Sequence, residues 1–374
     1  MAQIEFSVNH PLAVKRWSRE LNTVAAKESY FFNLGLVGTA ETDVIRMNKD
    51  LKLTEGYEVT YALRDNLVGT STVGDDTLEG NEKNLNYNNG SMRVNQERIA
   101  EKNGGKASAS RVPYDTRNDM KTTQSIWWGE HFDEVFITKL SGSLGVNTWN
   151  TIDSTTIAWD GNALRAPSAN RSYVGTTLGA AKTTLTSSMG FSLDNLDKMI
   201  LQASRQSATT VRRKMKPVRF KGKSYWICFI DLLQDEQIRQ ATGGRYYDLE
   251  RAKLQGGAKG SPIWDNADWT YRNVMVYVVE ELVRFSDYGA GANLKAVRGL
   301  FMGASAGYMA LGPGEAGSDQ GFFWKERLID FENKLAVATG KLWGFDKCSY
   351  TTTPLGATKE DYGVITFDTY VAGF

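Results

Sequence analysis

Residues 115–142 read DTRNDMKTTQSIWWGEHFDEVFITKLSG, and the fold is decided by how this stretch is understood. Asp115 can cap a helix by accepting a backbone amide hydrogen bond, and Gly142 supplies the left-handed residue that commonly ends one. Between them Met120, Trp127, Trp128, Val135, Phe136 and Leu140 give a broad apolar face. The pattern predicts a helix over 116–140. At ~1.5 Å per residue such a helix runs about 35–40 Å, enough to cross a whole domain. It reads as a backbone around which the rest is arranged.

Ahead of it, residues 56–106 read as a hairpin. Tyr57, Val59 and Tyr61 alternate with polar residues, as do Met92 and Val94, and the stretch between, 73–90, is rich in Gly, Asn and acids. Connections that long are uncommon in compact domains and tend to be either functional or disordered. Further upstream, Pro11 stands at a helix first-turn position and Leu12, Val14, Trp17, Leu21 and Val24 follow near helical spacing. This predicts an amphipathic helix over 11–28 whose apolar stripe, Trp17 and Leu21 included, needs a partner surface.

Downstream, residues 145–190 are rich in Ser, Thr, Gly and Asn and predict irregular surface with short strands. Helices are expected at 193–206, capped by Ser192, then at 232–241 and 246–254. A hairpin is expected across Lys221-Gly222, its second strand, 225–230, buried on both faces. Strands are expected at 274–283, 297–302 and 364–370. Helices and strands mix without regular βαβ alternation, so the class is α+β.

Composition excludes several functions. Lys and Arg total 44 against 43 for Asp and Glu, so the chain lacks the basic excess of a protein that holds nucleic acid mainly through phosphates. Cys228 and Cys348 have no neighbouring cysteine at metal-ligand spacing and read as reduced, buried thiols. No run approaches the ~18 apolar residues of a membrane span, and the opening residues lack a leader pattern, so synthesis in the cytosol is expected.

Motifs that could carry chemistry are incomplete. Gly303-Ala304-Ser305-Ala306-Gly307 matches G-x-S-x-G, but a serine hydrolase using Ser305 needs a histidine later in the chain, and His10 and His131 both precede it. Gly312 to Gly317 matches G-x-G-x-x-G, yet no βαβ unit surrounds it. Lys182-Thr183 lacks phosphate-loop spacing. The run 212–216, RRKMK, reads as a solvated basic loop. No catalytic, cofactor-binding or metal-binding residue is expected.

The order of elements, an N-terminal amphipathic arm, a long hairpin, a very long helix and a mixed body, resembles the Hong Kong 97-type fold of tailed-phage coat proteins. Thr77-Leu78-Glu79-Gly80-Asn81-Glu82 is similar to the loop signature of the coat-protein family of N-four-type podophages, and similar stretches follow at 298–306 (RGLFMGASA), 330–333 (DFEN), 344–347 (GFDK) and 361–365 (DYGVI). The resemblance implies an N-terminal arm at 1–55, an extended E-loop hairpin at 56–110, a peripheral domain with the spine helix at 111–190, an axial domain at about 191–320, and return strands to the peripheral domain at 321–374. It implies a shell subunit forming hexamers and pentamers of an icosahedral virion head around double-stranded DNA held non-specifically, assembled in the host cytoplasm. Expected partners are a separate scaffolding protein, since residues before Gly56 leave no room for a cleavable N-terminal domain, with a portal and a decoration protein. Expected contacts between subunits are Thr77, Leu78, Glu79, Gly80, Asn81, Glu82, Lys83 and Tyr87 at the loop tip and Trp17 and Leu21 in the arm. Trp127, Phe132 and Phe136 would orient the spine helix. A cargo-enclosing compartment of the encapsulin type shares this fold and stands as the alternative.

Overall fold

The computed structural model describes residues 21, 24–52, 56–64, 70–83, 87–111, 113, 115–146, 156–205, 214–220, 223–240, 267–313, 322–351 and 359–374. The arm residues 11–20, the helix expected at 246–254, Arg212 and Arg213 of the basic run, and most of the 312–317 run lie outside them.

The spine helix spans Thr116–Ser141. The Asp115 carboxylate accepts from the Arg117 amide at 3.0 Å, and Gly142 takes a positive φ of 70°, so both ends are set by the residues expected to set them. Its burial differs from the expectation of one apolar face. From His131 to Ser141 every residue is buried, Lys139 included. Two sheets clasp this half of the helix. Phe132 and Phe136 meet Trp343 and Phe345 of one sheet, while Phe136 also meets Phe31, which in turn packs on Phe229 of the other. A buried cation is admitted because Lys139 Nζ lies 2.6 Å from Asp160 Oδ2 and donates to the Phe345 carbonyl at 2.9 Å.

The first sheet has six strands, in the order Val37–Gly38, Ile45–Asn48, Gly307–Leu311, Lys334–Lys347 and Phe322–Ile329, with Asn95–Lys102 also paired to Lys334–Lys347. The second has nine, with Lys223–Ile230, Leu294–Met302 and Val364–Tyr370 in its centre. The apolar run 225–230 divides by period two. Ile227 and Phe229 face the spine-helix core, while Trp226, Cys228 and Ile230 face a second core formed with the helices Leu193–Ser204 and Leu232–Gln240. The Ser192 capping box opens the first of these helices.

The strand expected at 274–283 is in fact two, Val274–Val278 and Val283–Tyr288, which belong to different parts of the nine-stranded sheet. Glu280, exposed, and Glu281, half-buried with one carboxylate oxygen shut off from solvent, occupy the turn between them. Residues 321–374 also divide: Phe322–Ile329 and Lys334–Lys347 lie in the six-stranded sheet, Val364–Tyr370 in the nine-stranded one.

The last strand is fastened by charge. Arg298 reaches Asp368 through two bonds of 2.6 and 2.7 Å, and donates to the Ser141 carbonyl at the end of the spine helix. One guanidinium therefore joins the sheet centre to a helix-terminal carbonyl that lies beyond the helix's own hydrogen-bond ladder.

Candidate functional site

The hairpin ahead of the spine helix pairs Glu58–Arg64 with Tyr87–Arg93, Val59 opposite Met92 and Tyr61 opposite Gly90. Its inward side chains, Val59, Tyr61, Met92 and Val94, form a compact cluster with Leu51, Tyr308, Ala310, Cys348, Tyr350 and Tyr362 of the body. Tyr61 stacks on Tyr308 with centroids 4.3 Å apart. A Cβ at position 90 would lie 2.2 Å from the Tyr61 ring, so glycine opposite is what lets that ring turn inward. Gly344 has a related role, since a Cβ there would meet the Arg93 carbonyl at 2.0 Å. The root is thus bonded to its own body. An isolated two-stranded ribbon is marginal in water, and here the root is ordered by the tyrosine cluster of its own chain.

Residues 95–102 leave the ribbon and join the six-stranded sheet, antiparallel to 336–343. Here Glu97 accepts from His131 Nε2 at 2.7 Å and from Trp343 Nε1 at 2.9 Å, tying the foot of the loop to the spine helix. Burial works against a charged His131, but the Glu134 and Glu97 carboxylates outweigh it and raise its pKa to about 9.

The tip, Thr77 to Lys83, is exposed throughout. It has its own order: the Asn81 amide donates to the Leu78 carbonyl, Asn81 Nδ2 donates to the Thr77 carbonyl, each at 2.9 Å, and the Gly80 amide donates to Glu82 Oε2 at 2.8 Å. These bonds explain the sequence TLEGNE as a self-closing turn with Gly80 at positive φ. Leu78 and Val73 stand in solvent, and Asp75, Asp76, Glu79 and Glu82 make the projection acidic. Tyr87 opens the returning strand, opposite Arg64.

The other expected residues are distributed differently. Phe132 and Phe136 are buried against the sheet, and Trp127 stacks on His131 at 4.5 Å. Trp17 lies outside the described residues. Leu21 is fully buried in the core of its own chain, which corrects its assignment as a contact presented to a neighbour. The arm is seated by the spine helix: Gly129 clears the Ala25 carbonyl, and the Asp133 carboxylate accepts from the Ser29 hydroxyl and the Tyr30 and Phe31 amides at the start of the short helix Tyr30–Asn33. Burial raises the Asp133 pKa to about 7.

Ser305 is occupied in the same seating. Its hydroxyl donates to the Glu41 carbonyl at 3.3 Å and its amide to the Asp43 carbonyl at 2.8 Å, while Ala306 donates to Val44. The glycine-alanine-serine run is where the arm crosses the body in close backbone contact. Among the described residues no group of three or more His, Cys, Asp or Glu converges to hold a metal ion.

Sequence reasoning missed the tyrosine root, although the alternation of Tyr57, Val59 and Tyr61 carried part of the signal. It also missed Asp160, Asn162 and Arg171, buried anchors hidden in a stretch whose composition resembles surface.

A family model described as phage capsid protein matches residues 5–373. The major capsid protein of Pseudomonas phage KPP25 is 24% identical over 360 residues, covering 93% of this chain and 92% of that protein. The capsid of Ralstonia phage GP4 superposes with a TM-score of 0.82 at 27% identity, covering 100% of this chain and 99% of that one. The Cyanophage Pam1 capsid shares the fold at a TM-score of 0.70 and 18% identity, with full coverage of both chains. Phage shells, and not a cargo compartment, are what these comparisons favour. With a rooted ribbon, a clasped spine helix and a match running almost from end to end, the chain belongs to the phage capsid protein family and has the Hong Kong 97-type fold of tailed-phage head subunits.

Proposed function

We propose that the acidic loop tip is what this subunit uses to hold its neighbour in an icosahedral head. As a major capsid protein the chain works in many copies. Thr77 to Lys83, with Tyr87 at the base of the projection, extend over an adjacent subunit within hexamers and pentamers, and the arm beginning near Trp17 adds a second contact. The head encloses double-stranded DNA, held without base readout, in keeping with a net charge of +1. A separate scaffolding protein and a portal complete the assembly in the host cytoplasm, and no catalytic residue is assigned.

The observation that carries this reading is the contrast within one hairpin, a root packed into the body and a tip wholly in solvent. A self-closed turn keeps its shape before it meets a partner, which lowers the cost of ordering on association. Deleting residues 74–83 is expected to leave a folded subunit with an unchanged melting temperature that no longer forms stable shells, as judged by sedimentation and electron microscopy. Shells of normal yield and stability from that deletion would remove the tip from the interface.

A further inference from the structure

The strands Phe322–Ile329 and Lys334–Lys347 are joined by Asp330, Phe331, Glu332 and Asn333, and the first three have φ of 58°, 49° and 65°. The Asn333 amide donates to the Asp330 carbonyl at 3.0 Å, closing a turn whose two central residues, Phe331 and Glu332, are both left-handed. That hand suits the twist of a hairpin, but it is normally supplied by Asn-Gly or a similar pair. Phenylalanine is unfavourable there, because its Cβ crowds the backbone. Its side chain is also fully exposed, the most exposed large apolar group among the described residues, so no contact within them offsets the strain.

The turn is braced as well as strained. Lys334 Nζ lies 3.2 Å from Asp330 Oδ2, the Lys106 amide donates to the Asn333 carbonyl at 3.1 Å, and the Leu335 amide donates to Asn103 Oδ1 at 2.9 Å. Phe331 is therefore held out on a fixed arm.

We infer that Phe331 is a preorganised knob that enters an apolar socket on a second copy of this chain when the shell forms. The inference rests on the shell-subunit reading, and that reading selects the occupant: in a head built from many copies, the partner present beside every subunit is another subunit. Backbone strain retained where a side chain has no partner points to a use outside the monomer. A rigid aromatic presented in advance loses little freedom on docking, and buried aromatics dominate the energetics of protein interfaces. The site is distinct from the E-loop tip, since the turn lies across the six-stranded sheet beside residues 103–106.

The test first measures whether the unmodified chain, supplied with its phage's assembly partners, forms shells, and at what threshold concentration. Phe331→Asn keeps a residue that tolerates positive φ, so the subunit should melt at the same or a higher temperature. Its threshold concentration for assembly should rise about tenfold or more, the loss expected from one buried phenylalanine. Phe331→Tyr should stay near the unmodified value. A Phe331→Cys subunit, added as a minority to unmodified subunits, should react with a maleimide when free and be shielded in shells; Cys228 and Cys348 are buried and give little background. Assembly of Phe331→Asn at the unmodified threshold, or labelling in shells as fast as in free subunits, overturns the knob while leaving the shell reading intact. Failure of the unmodified chain to form any shell would overturn the shell reading itself.

Discussion

His131 is the residue where charge, packing and the loop meet. Its ring is buried, stacks on Trp127 and donates to Glu97 on the strand that carries the loop's foot. Because its pKa in the fold, about 9, lies above the ordinary value near 6.5, the charged pair contributes fully below about pH 6.5, and the contribution disappears as pH rises through about 9. Denaturant unfolding of the unmodified chain and of His131→Gln, compared between pH 6 and 10, should show a difference that shrinks by on the order of 3 kcal/mol over that window. A difference independent of pH would mean that the imidazole is not charged in the fold. Nothing in the sequence announced this role. A histidine amid Trp127, Trp128 and Phe132 reads as one more helix residue until the strand carrying Glu97 is placed beside it.

Among the elements, the loop root gives the clearest test. Tyr61 stacks on Tyr308 and receives a hydrogen bond from the Ser349 amide at 3.4 Å, so one ring joins the ribbon to two strands of the body. Tyr61→Ala should lower stability by about 3–5 kcal/mol, as for other large aromatic truncations, and should hasten proteolytic cleavage within 56–94 ahead of global unfolding. Cleavage at the unmodified rate would show that the ribbon is held from elsewhere. Elements of this kind were legible where local chemistry determines them. The spine helix was readable from Asp115 and Gly142, and the final strand from its run of β-branched and aromatic residues. The expected strand at 274–283 failed because an apolar run does not say where it turns, and the paired glutamates were the only clue. The helix's all-round burial was hidden because Asp133, Glu134 and Lys139 count as surface in any pattern, and only their partners in the fold reverse that.

At the scale of the whole molecule the last strand, Val364–Tyr370, lies between Leu294–Met302 and Ser172–Val174, in the middle of the nine-stranded sheet. Removing residues 364–374 should therefore abolish folding, seen as insoluble product and loss of the cooperative melt; a soluble, cooperatively melting product would show that the sheet closes without its central strand. This placement was not legible. The order of elements and short stretches such as GFDK identified the family, but not why those residues are there: Phe345 fills the core, Asp346 meets Arg165, and Lys347 meets Asp361. Pairing between segments hundreds of residues apart, such as Ile45–Asn48 running parallel to Gly307–Leu311, leaves no periodic trace in a single sequence.

The fourteen-residue strand Lys334–Lys347 has a mechanical consequence. It starts at the Phe331 turn, runs beside the loop's foot and ends at the Lys347 anchor, a beam of roughly 45 Å. Tension between the turn and the anchor would pull along its length, loading many rungs of the ladder together, whereas a force lifting one end would break them singly. A container under internal pressure resists bursting best when its walls are stressed in the first manner.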